Sequence, residues 1–128
     1  MTARILIAED HPASLELMRY LLEASGYLVV TATDGVEALA ALHKELPDML
    51  ICDLQMPNVD GYEVLRQMKE DPALQHIPVI AVTAFSMVGD RETVLAAGFD
   101  DYQSKPIEPE NFVAQMEQHL PALLRVQH

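Results

Sequence analysis

Three carboxylates, one hydroxyl and one ammonium stand at the ends of short apolar or extended runs in this sequence. Glu9 and Asp10 follow residues 5–8, Asp53 follows 49–52, Thr83 follows 77–82 and Lys105 follows 101–104. If each run is a parallel strand, all five groups meet outside one sheet's carboxyl edge, where open α/β sheets bind ligands. Two like charges about 4 Å apart cost roughly 4 kcal/mol at an effective dielectric near 20. Three clustered carboxylates therefore need a cation or protons. Hard oxygen donors in small number favour Mg²⁺, with Mn²⁺ as its substitute, bound through carboxylates, waters and a phosphate. A nearby lysine can neutralise a carboxylate or grip a phosphoryl oxygen. A carboxylate held by a metal, a lysine and a hydroxyl is a nucleophile toward phosphorus, and the product is an aspartyl phosphate.

The elements that must position these groups alternate along the chain. Runs 5–8, 28–32, 49–52 and 77–82 are apolar without polar alternation, as expected for strands buried on both faces of a parallel sheet. Run 101–104, Asp-Tyr-Gln-Ser, is polar and suits an edge strand. Between them lie helical periods. Residues 12–25 carry Leu15, Met18, Leu21 and Leu22 on one stripe and end at Gly26. Asp34 is placed to cap a helix with Val36, Leu39 and Leu42 inward, ending before Pro47. Asp60 is placed to cap a helix over 61–70, with Val64, Leu65 and Met68 inward. Residues 87–97 end at Gly98, and Pro109 opens a last helix with Phe112, Met116 and Leu120 as its stripe. Strand then helix, five times, implies a doubly wound three-layer α/β sandwich. Periodicity alone leaves the strand order open.

The chain has 128 residues, enough for one domain with its own core and no disulfides. Half of it is hydrophobic, which excludes simple disorder. Twenty acidic against eight basic residues give a net charge of −12, which argues against direct contact with nucleic acid or an anionic membrane. The first apolar run stops at Glu9, too short for a signal peptide or a membrane span. A single cysteine, Cys52, suits a reducing, cytoplasmic setting. The reading is one acidic domain over 1–128 with no effector domain.

Glu9-Asp10, the segment Asp53-Leu54-Gln55-Met56-Pro57-Asn58-Val59-Asp60-Gly61, Thr83-Ala84 and Lys105-Pro106 together resemble the receiver domain of two-component response regulators. The resemblance covers essentially the whole chain, with every motif in order. It implies a (βα)₅ flavodoxin-like sandwich with strand order 2-1-3-4-5. It implies that Asp53 accepts a phosphoryl group from a phosphohistidine on a histidine kinase or histidine phosphotransfer protein. Glu9, Asp10 and Asp53 would hold Mg²⁺ with the backbone carbonyl of Gln55. Lys105 would pair with Asp53 and then with the phosphoryl oxygens. Thr83 would swing to the phosphoryl group and Tyr102 would move inward behind it. Together they would remodel a face made by the fourth helix, fifth strand and fifth helix for a downstream protein target. The bond before Pro106 is expected to be cis. Glu9 stands where many relatives have Asp, a longer arm toward the metal. Gln55 and Phe85 occupy positions that tune hydrolysis, and a bulky Phe85 suggests a long-lived phosphoform.

Plainer readings stand beside these. Tyr102 as a fixed core aromatic is one, Cys52 as a small core hydrophobe another, and His11 as a solvated loop residue a third. The competing function is a Mg²⁺-dependent phosphatase or phosphotransferase with an Asp nucleophile on a similar sheet. The haloacid-dehalogenase pattern needs a second Asp two residues after the nucleophile, where this chain has Gln55. A topoisomerase-primase site also lacks its Asp-x-Asp. A flavin or dinucleotide module lacks its glycine-rich loop, and Glu9-Asp10 would repel a phosphate there.

Overall fold

A computed structural model describes residues 2–84 and 90–126. The five strands are β1 (Arg4–Ala8), β2 (Leu28–Ala32), β3 (Met49–Asp53), β4 (Val79–Thr83) and β5 (Asp101–Ser104). The helices between and after them are α1 (Pro12–Ala24), α2 (Gly35–Lys44), α3 (Gly61–Glu70), α4 (Asp90–Ala97) and α5 (Pro109–Glu117). All strand pairs are parallel and the order is β2-β1-β3-β4-β5, as the resemblance implied. The start of the fourth helix at 87–89 and the side chain of Phe85 lie outside the described residues.

Caps and breakers set the boundaries. Asp34 Oδ1 accepts from Glu37 N at 2.8 Å and Asp60 Oδ1 from Glu63 N at 2.9 Å, so both predicted caps form. Pro78 delays β4 by two residues from the expected start: Ile77 N still closes a turn on Leu74 O at 3.2 Å. Gly98 takes φ 116° after α4. Leu120 is buried but lies beyond the end of α5, in the turn after it.

The sheet divides the interior into two cores. One face carries Leu6, Leu50, Cys52, Leu65, Val94 and Tyr102 under α2, α3 and α4; the other carries Ile5, Ile7, Met18, Ile51 and Phe112 under α1 and α5. Strands β3 and β4 are buried throughout. β2 departs from the expectation of burial on both faces: as an edge strand it leaves Leu28 and Val30 largely exposed. Val36 also departs from its expected inward place and is 52 % exposed. The small residues Gly35 and Ala38, with Leu42, form the buried stripe of α2 instead.

The segment after α5 returns along the amino-terminal edge of the sheet. Tyr27 pins it there: its hydroxyl donates to the Glu117 carboxylate and accepts from Val126 N at 3.0 Å. Burial and the Glu117 carboxylate push the Tyr27 phenol up to about 12. The unfolded phenol ionises near pH 10, so unfolding releases its proton between about pH 10 and 12. Alkali therefore favours the unfolded chain through this residue. Denaturant midpoints measured from pH 8 to 12 should fall more steeply for the native protein than for Tyr27→Phe; parallel curves would refute the assignment.

Candidate functional site

The strand ends bring the expected groups together. β1 delivers Glu9 and Asp10 one and two residues past its last position, β3 ends on Asp53, β4 on Thr83, and Lys105 follows β5 directly. Lys105 Nζ stands 2.5 Å from Glu9 Oε1 and 3.4 Å from Asp53 Oδ2, so one ammonium serves two carboxylates. Glu9 is wholly buried, Asp53 and Thr83 are buried, and Asp10 is exposed at the rim. An oxygen from each of Glu9, Asp10 and Asp53 lies within 4.8 Å of the other two. Asp10 and Asp53, with His11, Pro12, Gln55, Thr83, Ala84 and Lys105, line an open cleft of about 290 Å³.

Local structure fixes most of these groups. Gln55 N donates to Asp53 Oδ1 at 3.1 Å and His11 N to Glu9 Oε2 at 3.1 Å. The Lys105 backbone N–H donates to Thr83 O at 2.8 Å, which locks Lys105 beside β4, and its bond to Pro106 is cis. His11 caps α1, its Nδ1 accepting from Ser14 N at 3.5 Å, a role the loop reading of this histidine did not give it.

Burial pushes the Asp53 carboxyl up from the ordinary carboxylate range, and the facing Glu9 carboxyl pushes it the same way. The Gln55 N–H and Lys105 oppose this without cancelling it. Glu9 Oε1 is buried and, apart from the ammonium beside it, has no aligned hydrogen-bond donor. Three convergent carboxylates, of which the Lys105 ammonium neutralises only one charge, offer hard oxygens alone and fit a small divalent cation. Among the described residues, Glu9, Asp10 and Asp53 are the side chains grouped closely enough to hold it.

Thr83 and Gln55 also line a second cavity of about 240 Å³, bounded by Tyr62, Asp90, Val94 and Tyr102. Tyr102 packs inward here, 9 % exposed, in the core under α4. Thr83 and Gln55 therefore stand between the acidic cleft and the Tyr102 cavity. Cys52 is fully buried beside Asp53, and burial pushes its thiol up, which keeps it a core hydrophobe.

Two features were not legible beforehand. At the start of β5, the buried Asp101 has its Oδ2 2.8 Å from His119 Nε2 and 3.3 Å from Gln115 Nε2. Near the cleft, Asp34 Oδ2 accepts from Asn58 Nδ2 at 2.9 Å. Asn58 carries only its preference for turns as a signal, and nothing in its spacing ties it to Asp34.

A parallel five-stranded sheet in this order, with an acidic cleft and a lysine at its carboxyl edge, defines an α/β domain of the flavodoxin-like kind. Residues 5–117 match the response regulator receiver domain family, and the chain belongs to it. Among its relatives is the polar-differentiation response regulator DivK of Brucella ovis, 42 % identical over 94 % of this chain and 98 % of that protein. The receiver domain of a signal transduction histidine kinase from Syntrophus aciditrophicus has a similar structure. It is 34 % identical, with a TM-score of 0.86 over 98 % of this chain and 96 % of that one. The receiver domain of the sensor histidine kinase PA1611 from Pseudomonas aeruginosa was solved with magnesium in its active-site cleft. It is 30 % identical, with a TM-score of 0.83 over 92 % of this chain and 97 % of that one. The chain is a two-component receiver domain, a signalling unit. Among the described residues no helix is long and apolar enough to cross a membrane.

Proposed function

We propose that Asp53 is the phosphoryl acceptor of this receiver and that Glu9, Asp10 and Asp53 bind Mg²⁺ or Mn²⁺ together with the backbone carbonyl of Gln55. The observation that carries the reading is the Lys105 ammonium shared by Glu9 and Asp53 at the mouth of the cleft. An Asp53 oxygen attacks phosphorus, the new O–P bond forms, and the P–N bond to a histidine on the donor protein breaks. Bound Mg²⁺ would supply positive charge to the carboxylates and the phosphoryl oxygens. Lys105 leaves Asp53 for the phosphoryl oxygens while Thr83 supplies a hydroxyl from the end of β4.

The donor is a histidine kinase or a histidine phosphotransfer protein, and the phosphoform is read by a downstream protein target. Phosphorylation shifts a two-state equilibrium of the α4–β5–α5 face. Tyr102 already packs inward, so its part is a shift within the cavity it shares with Thr83, not an entry from solvent.

Acetyl phosphate tests the acceptor directly. With Mg²⁺ the protein should gain one phosphoryl group, mapped by borohydride trapping to Asp53, and with EDTA it should gain none. A group trapped on another residue, or equal labelling in EDTA, would overturn the reading.

A further inference from the structure

The loop from Leu54 to Asp60 carries Gln55, whose carbonyl the reading above assigns to the metal. A ligand on a surface loop is useful only if the loop is held to a fraction of an ångström. Leu54 and Met56 are buried and anchor it from below. At its far end, Gly61 N donates to Leu54 O at 3.1 Å, and a Cβ on Gly61 would stand 2.5 Å from Asp53 O. The loop is thus closed against its own strand at that end.

Its outer turn is strained. Val59 N donates to Pro57 O at 2.8 Å, a three-residue turn centred on Asn58, which sits at φ 70°. Such turns are rare and persist only where their surroundings over-determine them. The surroundings here come from a different element. Asp34 divides its carboxylate between two tasks: Oδ1 caps α2 through Glu37 N, and Oδ2 receives the Asn58 side-chain amide. The next residue, Gly35, lies so close that a Cβ would stand 2.0 Å from Val59 O and 2.7 Å from Val59 C. Those neighbours are backbone, so they cannot rotate away as a side-chain tip could.

We infer that Asp34 and Gly35 at the start of α2 are positioning residues for the acceptor loop, clamping Asn58 and Val59 so that the Gln55 peptide is presented to the metal. This rests on the acceptor reading above and adds to it a second element that sets the site. The hydrogen bond fixes where the turn lies, and the missing side chain at Gly35 lets it come that near. Gly35→Ala forces the Val59 carbonyl back by more than an ångström. Asp34→Ser keeps an oxygen for the α2 cap but has none left for Asn58.

Two measurements on the full chain decide the matter. Calorimetric titration with Mg²⁺ should give both variants a dissociation constant raised about 10-fold, the size of effect seen when support behind a metal ligand is lost. Amide hydrogen exchange of the metal-free proteins should show Val59 and Gly61 exchanging faster than in wild type, with β1 and β3 unchanged. If both variants bind Mg²⁺ like wild type, or if they merely melt earlier with uniform loss of protection, the clamp is refuted. If Gly35→Ala fails to fold, Asp34→Ser alone gives the answer. Should wild type itself bind no Mg²⁺, the acceptor reading fails, while exchange at Val59 and Gly61 still decides whether α2 holds the loop.

Discussion

The Asp53→Asn protein should take up no phosphoryl group from acetyl phosphate, and in EDTA it should melt at a higher temperature than wild type. Both results come from one side chain. Uptake fails because an amide oxygen is a poor nucleophile and forms no stable acyl phosphate. A loss on the order of 10³-fold corresponds to about 4 kcal/mol of transition-state stabilisation. The gain in stability follows from electrostatics. Asp53 is buried against Glu9 and its carboxyl is pushed up, so at neutral pH the fold holds a charge it disfavours. That penalty is present above the folded carboxyl's titration and disappears as pH falls through it. The amide removes it at every pH, so the difference between variant and wild type should shrink toward acid. Mg²⁺ should stabilise wild type and do much less for the variant, which has lost one of three carboxylate ligands. Labelling of Asp53→Asn at the wild-type level would refute the acceptor assignment. A variant less stable than wild type in EDTA would refute the electrostatic account.

Lys105→Ala should have the opposite effect on stability and a divided effect on function. Its ammonium lies 2.5 Å from Glu9 Oε1 and 3.4 Å from Asp53 Oδ2. Removing one partner from a buried ion pair costs about 3–5 kcal/mol. Lys105 keeps some contact with solvent, and the carboxylates can take up a proton, so about 2–3 kcal/mol is expected by chemical denaturation in EDTA at neutral pH. Millimolar Mg²⁺ should recover much of it, since a cation then returns to the cluster. Acetyl phosphate should still label Asp53, because the nucleophile and the carboxylates remain. The phosphoform should nonetheless lack the change at the α4–β5–α5 face, because no ammonium leaves Asp53 for the phosphoryl group. Hydrogen exchange across β5 and α5, with and without phosphorylation, reads that change. Wild-type stability in EDTA would show that the bridge contributes nothing, and a wild-type exchange response would refute its role in coupling.

Local pattern carried much of this architecture. The bounds of α3, the caps at Asp34 and Asp60, and the convergence of Glu9, Asp10, Asp53, Thr83 and Lys105 follow from runs, breakers and one rule about sheet edges. The strand order needed the resemblance, because parallel crossovers of similar length permit several orders. Val36 was misplaced because a three-residue apolar spacing does not say how far a helix is rotated about its axis. Close approach to the acceptor loop turns Gly35 and Ala38 inward, and the larger valine is left outside. The Asp34–Asn58 bond joins residues 24 apart, and Asp101–His119 joins residues 18 apart. Contacts of that range depend on which helix packs beside which loop, and no window of local periodicity records it.

The exposed margin of the sheet has a consequence for how the molecule behaves in a crowd. β2 shows Leu28 and Val30 to solvent, contains no proline or charged residue, and has no strand on its outer side among the described residues. Such a margin is a template on which another chain could grow. Repulsion between molecules that each carry a formal charge of −12 opposes such growth. That barrier reaches only about 8 Å at physiological ionic strength and about 3 Å in molar salt. The surplus of carboxylates far from the cleft thus serves as a colloidal guard over an unprotected strand, and concentrated salt disarms it.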